Sequence, residues 1–354
     1  MSAPHLPPKS CSIKVHEQFR LLPWTVFLII VSALTSVAVS LSVVTWFLPN
    51  VIPQVQVTPR GARAPEAIFV DPALDRQIKQ SVFRVYDTRK KVDGAYYADD
   101  ALLGQAAILS SDGWAVLSGK GAALRASFLE AVDHQGAVYP VERIIPDSLA
   151  GLTYIKVKGS GFRVMALFPW DSVPEESLWS VLPDGYREVF LGEAEKNEGA
   201  EDVFAISEPQ YAFEFLPAVS AVSMILTTRG ELAGFAGLDG RLVPSWMVGN
   251  QLPSILSASR VSYLGLPYRG RFLSSIVSET GFSPLPGFYV EQSPTKATSS
   301  TIGKKDVMVK ILGKPVDKID LARQALTSPD PVSVTIFRGG AEYDILVPKT
   351  EVGK

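Results

Sequence analysis

From Leu21 to Pro59 the chain carries no charged residue, and the stretch Leu21–Leu48, LLPWTVFLIIVSALTSVAVSLSVVTWFL, is predominantly apolar. A helix needs about 20 apolar residues to cross a bilayer. The apolar part of a cleaved leader spans only about 7–15, so this run predicts an uncleaved anchor. Trp24 and Trp46 lie near its two ends. At the helical rise of 1.5 Å per residue they stand roughly 33 Å apart, close to the hydrocarbon thickness, and indole rings favour the two interfaces. Lys9, Lys14 and Arg20 precede the run against Glu17 alone, and the next cations, Arg60 and Arg63, come well after it. The positive-inside bias predicts residues 1–20 in the cytoplasm, 21–48 as a single span of the inner or plasma membrane, and the bulk of the chain extracytoplasmic. Any globular fold has to be built from the residues C-terminal to this run.

Residues 49–68 hold several prolines and no apolar period, as a linker does. With a net charge of −2, nothing in the charge balance favours nucleic acid as a partner. Cys11 is the single cysteine, so no intrachain disulfide forms, and the three histidines, His5, His16 and His134, are too scattered to build a metal site with it. No cofactor is implied.

Beyond the linker the pattern is mainly β. Asp71-Pro72 predicts a short helix ending near Gln80, from an N-cap followed by proline at the first position. A β-rich run comes next at 82–86. AAILSSDGWAVLSG (106–119) predicts a hairpin about Asp112-Gly113, 128–145 a second about residues 134–136, GLTYIKV (151–157) a strand, and MILTTRGELAGFAG (224–237) a hairpin about Arg229-Gly230. Many short strands at regular spacing point to barrels or sandwiches. The acidic stretch Glu193, Glu195, Glu198, Glu201 and Asp202 reads as a solvated loop of this domain, spanning 69–255. A smaller α+β unit occupies 258–350, with a helix at 316–326 capped by Asp317 and a closing hairpin at 332–348 that turns at Arg338-Gly339-Gly340.

The order and content of these segments resemble the HtrA/Deg family of trypsin-like serine proteases. AAILSSDGWAVLSGKG is similar to the strand pair leading into the family's catalytic histidine, PDSLAGLTYIKV to the stretch carrying its aspartate, and MILTTRGELAGFAG to the hairpin after its G-N-S-G-G motif. VSYLGL and GFYVEQSPTKATSSTIGKKDVMVKILGKPV (287–316) resemble a PDZ domain. The resemblance implies a membrane helix, a trypsin-like double β-barrel and a small PDZ domain. It also implies assembly as a trimer, and protein C-termini or extended peptides as partners. Tyr263, Leu264, Gly265 and Leu266 would form the carboxylate-binding loop, and Leu321 would line the groove from the helix, giving a preference for an apolar terminal residue.

Carried over position by position, the resemblance leaves no catalytic triad. Lys120 stands at the histidine position, Gly151 at the aspartate and Ala221 at the nucleophile, and Val219 replaces the first glycine of the motif. His5 and His16 precede the anchor, and His134 falls at a hairpin tip, so no histidine remains to serve as base. A Ser-Lys arrangement of Lys120 with Ser220 or Ser223 is the alternative, an active endopeptidase. It needs a desolvated lysine, whereas Gly119 and Gly121 predict an open, solvated loop. The expectation is therefore a membrane-anchored pseudoprotease that binds peptides, in envelope protein quality control or as a scaffold. A structural β protein unrelated to proteases is the remaining alternative.

Overall fold

The computed structural model describes residues 70–119, 124–170, 177–182, 185–195, 203–208, 211–278, 281–283, 286–294 and 301–352. The predicted anchor, the linker, Lys120, and Glu198, Glu201 and Asp202 lie outside them. Among the described residues no helix is long and apolar enough to cross a membrane.

Helix α1 (Pro72–Gln80) begins as its sequence predicts: Asp71 Oδ1 accepts from the Ala73 N–H at 2.7 Å, and Pro72 sits in the first turn. Strands β1 (Val82–Asp87), β2 (Leu102–Ile108), β3 (Trp114–Ser118), β4 (Leu129–Val132), β5 (Val138–Asp147) and β6 (Leu152–Val157) close into a barrel in the order β1-β2-β3-β6-β5-β4. Closure leaves no exposed edge. Alternate residues fill its interior, among them Phe83 and Val85, Ala106 and Ile108, and Ala115 and Leu117. The β2–β3 turn needs its glycine. Gly113 has φ +102°, and a Cβ there would lie 2.7 Å from the Val157 carbonyl oxygen.

A second six-stranded sheet joins β7 (Leu178–Leu182), β8 (Gly185–Glu195), β10 (Tyr211–Leu216), β11 (Met224–Thr227), β12 (Leu232–Ala236) and β13 (Leu242–Pro244) in the order β10-β8-β7-β11-β12-β13. A Glu214–Arg241 bridge links its two margins. Strand β9 (Phe204–Ala205) lies in the connection between β8 and β10 and pairs elsewhere. Trp114, Leu152 and Tyr154 of the first barrel meet Met224, Leu226 and Phe235 of the second in one core, which helix α2 (Ser245–Ala258) covers with Met247, Val248 and Ile255. The sequence reading misses α2. It has no side-chain N-cap and no acidic residue in its first turn, and Pro253 lies inside it, so the usual start and continuation signals are missing.

The C-terminal α+β part contains β14 (Tyr263–Gly265), β15 (Arg269–Leu273), β16 (Gly287–Gln292), β17 (Val307–Ile311), α3 (Leu321–Thr327), β18 (Val332–Arg338), β19 (Ala341–Val347) and β20 (Thr350–Val352). Its main sheet runs β9-β15-β16-β17-β18-β19, and β14 pairs with β20. The helix is shorter than predicted. Asp320 is its N-cap residue, while Asp317 instead holds a preceding turn, accepting the Ile319 N–H at 3.1 Å on Oδ1. Gly339 and Gly340, at φ +58° and +86°, make the predicted turn between β18 and β19. Asp306, 3% exposed, accepts from Gly303 N–H at 2.7 Å and takes both ends of the Arg338 guanidinium at 2.6 Å.

Candidate functional site

The ends of three strands from the two barrels meet at one place. Beyond β3, the Gly119 N–H donates to the Gly151 carbonyl at 3.0 Å, and Thr153 Oγ1 donates to the Gly119 carbonyl at 2.7 Å. Ser118 Oγ reaches across to the Ala236 carbonyl in the second barrel at 2.8 Å. That same carbonyl accepts the Val222 N–H at 3.1 Å, and the Ala236 N–H returns to the Ser223 carbonyl at 2.8 Å. Val222 Cγ1 lies 3.8 Å from where a Cβ on Gly119 would stand. Residues 119, 151 and 221–222 therefore adjoin one another, with Lys120 next in the chain but outside the described residues.

The turn at Ala221 spans Ser220–Ser223. Ser223 Oγ donates to the Ser220 carbonyl at 2.8 Å, so this hydroxyl is committed to its own turn. Ala221 and Ser220 are exposed. Val222 sits at φ +67°, the one β-branched residue with a left-handed backbone among the described residues. This conformation costs a side-chain-bearing residue roughly 1–2 kcal/mol. The turn thus keeps a shape suited to glycine at the fourth motif position, while Val219, at the first, is not left-handed. Gly151 has φ +66°, a backbone conformation that strains a side-chain-bearing residue, although nothing lies within 4 Å of where its Cβ would stand.

Four residues upstream, the sequence reading overlooks Asp147. Its Oδ1 accepts from the Leu149 and Ala150 N–H groups at 3.1 and 3.0 Å, and its Oδ2 accepts from the Tyr263 hydroxyl at 2.6 Å. Burial raises its pKa, against the pull of these three hydrogen bonds. Burial also raises the Tyr263 hydroxyl, with the Asp147 charge adding to it. Tyr154, whose hydroxyl is buried without a partner among the described residues, belongs to the same core. The sequence offers a signal in Asp147-Ser148, the start of an Asx turn, but none for its partner more than a hundred residues away.

His134 is exposed at its hairpin tip, where Asp133 Oδ1 organises the turn by accepting from the Gln135 and Ala137 N–H groups. It borders a cavity of about 550 Å³ shared with Arg84, Tyr86, Gln105 and Tyr186, and neither Gly151 nor Ala221 lines that cavity. No group of His, Cys, Asp and Glu able to hold a metal is found among the described residues.

The residues expected to line a peptide groove divide. Leu266 and Leu321 are buried in one cluster with Phe204 and Ile206, and Gly265 faces Leu326 of α3 and Ser207. Tyr263 turns instead into the core between the barrels, and Leu264 is 44% exposed. The edge of β15 is already paired: Phe204 lies opposite Gly270 and Ala205 opposite Arg269. Glu193 and Glu195, expected in a solvated loop, lie instead in strand β8, where their backbones pair with Phe213 and Tyr211 of β10, and in the stretch after the acidic residues Phe204, Ile206 and Ser207 are buried. The alternation of Phe204 and Ile206 is the sequence signal that the reading passed over.

Two barrel-like β sheets with few helices and a C-terminal α+β sheet define an HtrA-like, trypsin-type fold. Solved structures agree. The HtrA-type protease AlgW with a decapeptide superposes with a TM-score of 0.50 at 14% identity, covering 79% of this chain and 98% of AlgW. AlgW with a tripeptide gives a TM-score of 0.50 at 15% identity, covering 80% and 98%. At these identities the likeness is one of fold. No family model matches the chain, and no curated protein matches its sequence.

Proposed function

We propose that this chain is a membrane-anchored, extracytoplasmic HtrA-like pseudoprotease whose C-terminal unit is a PDZ domain. It binds extended peptides or protein C-termini, in envelope protein quality control or scaffolding. The observation that carries the proposal is the Ser220–Ser223 turn. It stands beside Gly119 and Gly151, as a nucleophile turn would, and presents the methyl group of Ala221. Glycine at 151 and the Ser223 hydroxyl bound within its own turn support this reading: among the described residues no histidine–aspartate pair stands beside the turn to activate a serine. The binding half of the proposal is supported by the channel between β15 and α3, which holds an extended strand in the manner of sheet-edge recognition.

The test is labelling of the purified full-length chain with a serine-directed fluorophosphonate. No adduct on any serine is expected. An adduct that disappears in Ser220→Ala or Ser223→Ala would establish an active serine and overturn the pseudoprotease reading.

A further inference from the structure

Strand β9 comes from the second barrel, yet it forms the edge of the C-terminal sheet. Its connection, residues 196–210, joins two strands that pair directly, Glu195 with Tyr211. Within it, residues 203–208 lie along β15. The segment runs antiparallel to β15 and toward β14. The Ile206 N–H donates to the Tyr268 carbonyl at 3.0 Å, and Arg269 Nη2 donates to the Val203 carbonyl at 3.3 Å. Phe204 and Ile206, two residues apart on one face, are 8% and 0% exposed and enter the core beside Leu266 and Leu321. Ser207 ends the run. Its Oγ accepts the Leu266 N–H at 3.0 Å and donates to the Leu266 carbonyl at 3.1 Å. The Glu208 N–H then closes a turn on the Ala205 carbonyl at 2.9 Å, taking the chain away. Gly265 is what permits this approach, since a Cβ there would collide with Ser207 and lie 3.2 Å from Leu326 Cδ2.

We propose that residues 203–207 are a resident ligand of the chain's own peptide channel. An outside ligand would then have to displace them and copy their chemistry: an extended segment with an aromatic residue and an aliphatic residue two positions apart. It would end in an acceptor, a hydroxyl or a terminal carboxylate, on the Leu266 N–H. This rests on the peptide-binding reading above. A tethered segment competes at high effective concentration, so the open channel is a minor state and the apparent affinity for an outside peptide falls by the open fraction. With that state at about 10% or less, the penalty is roughly tenfold or more.

Ala205 and Arg269 face each other in a pair flanked by the hydrogen-bonded Ile206. Ala205 is only partly buried and Arg269 is exposed. Directly opposed residues of this kind are close enough for a disulfide. The experiment uses the full-length chain in detergent carrying Cys11→Ser, Ala205→Cys and Arg269→Cys. The probe is a fluorescein-labelled peptide of the chain's own sequence from Glu201 to Ser207, with a free carboxylate. The introduced thiols are expected to cross-link on oxidation and to abolish probe binding, which reduction restores. A second variant, Ile206→Ser, is expected to bind the probe roughly tenfold or more tightly than the wild type. Failure to cross-link would remove the segment from the channel and overturn the proposal, leaving the peptide-binding reading standing if the probe binds. A cross-link that forms without altering probe binding, or a wild type that binds as tightly as Ile206→Ser, would refute occlusion. A cross-link together with no probe binding by any variant would sink the peptide-binding reading and this inference with it.

Discussion

Replacing Tyr263 by phenylalanine removes one oxygen and leaves the ring in its core. The hydroxyl donates at 2.6 Å to Asp147, which is itself 2% exposed. A hydrogen bond to a charged acceptor contributes about 1.5–3 kcal/mol, so the variant should lose about 2 kcal/mol near neutral pH, or roughly 4–8 °C in Tm for a domain of this size. The loss should depend on pH. Burial holds the Asp147 carboxyl above its ordinary range, so the folded chain takes up a proton there that the unfolded chain does not. The stability this confers is fully present below the ordinary carboxylate pKa and is lost as pH rises to the raised folded value. The Tyr263 bond favours the ionised form, so its removal raises the folded value further and matters least where the carboxyl is already protonated. Urea unfolding of wild type and Tyr263→Phe at about pH 4 and about pH 8 measures this. The deficit should be larger at the higher pH. An equal deficit at both, or a larger one in acid, would refute the assignment of Tyr263 as a donor to a buried carboxylate.

Three further substitutions probe the turn at the site, the β2–β3 turn and the C-terminal sheet. Val222→Gly should raise the urea midpoint by the equivalent of about 0.5–1 kcal/mol, because it relieves a left-handed β-branched residue at the expense of chain entropy. A lower midpoint would count against the strained turn. Gly113→Ala should destabilise by about 2 kcal/mol or more in the same assay, given φ +102° and the Val157 oxygen 2.7 Å from the new methyl. Asp306→Ala should cost about 3 kcal/mol by removing the carboxylate that the Gly303 N–H and two nitrogens of the Arg338 guanidinium share, with the Arg338 bond to the Thr301 carbonyl remaining, read as loss of amide-exchange protection in β17 and β18. A change below about 1 kcal/mol would mean the pair is solvated.

Much of the barrel architecture is legible in the sequence because the information is local. Asp112-Gly113 and Arg229-Gly230 announce their turns, and Asp71-Pro72 announces α1. The juxtaposition of Gly119, Gly151 and the 220–223 turn emerges once the strands are ordered. The features that escape the reading are set by distant partners. The C-terminal helix starts at Leu321 because Asp317 is spent on a turn of its own. Helix α2 is held by the core it covers rather than by caps. Tyr263 reads as part of a binding loop, yet its hydroxyl serves Asp147 in the first barrel. Val203 to Ser207 goes unread as a strand, because its alternation is short and its pairing strand, Arg269–Leu273, lies far along the chain.

The central claim is that this fold has kept its shape and given up peptide hydrolysis. The most direct measurement is mass-spectrometric analysis of an unfolded protein substrate, such as denatured casein, incubated with the purified full-length chain. The account predicts no new peptide termini beyond those in the substrate alone, for wild type and for Ser220→Ala and Ser223→Ala alike. New termini generated by the wild type and lost in either serine variant would contradict it.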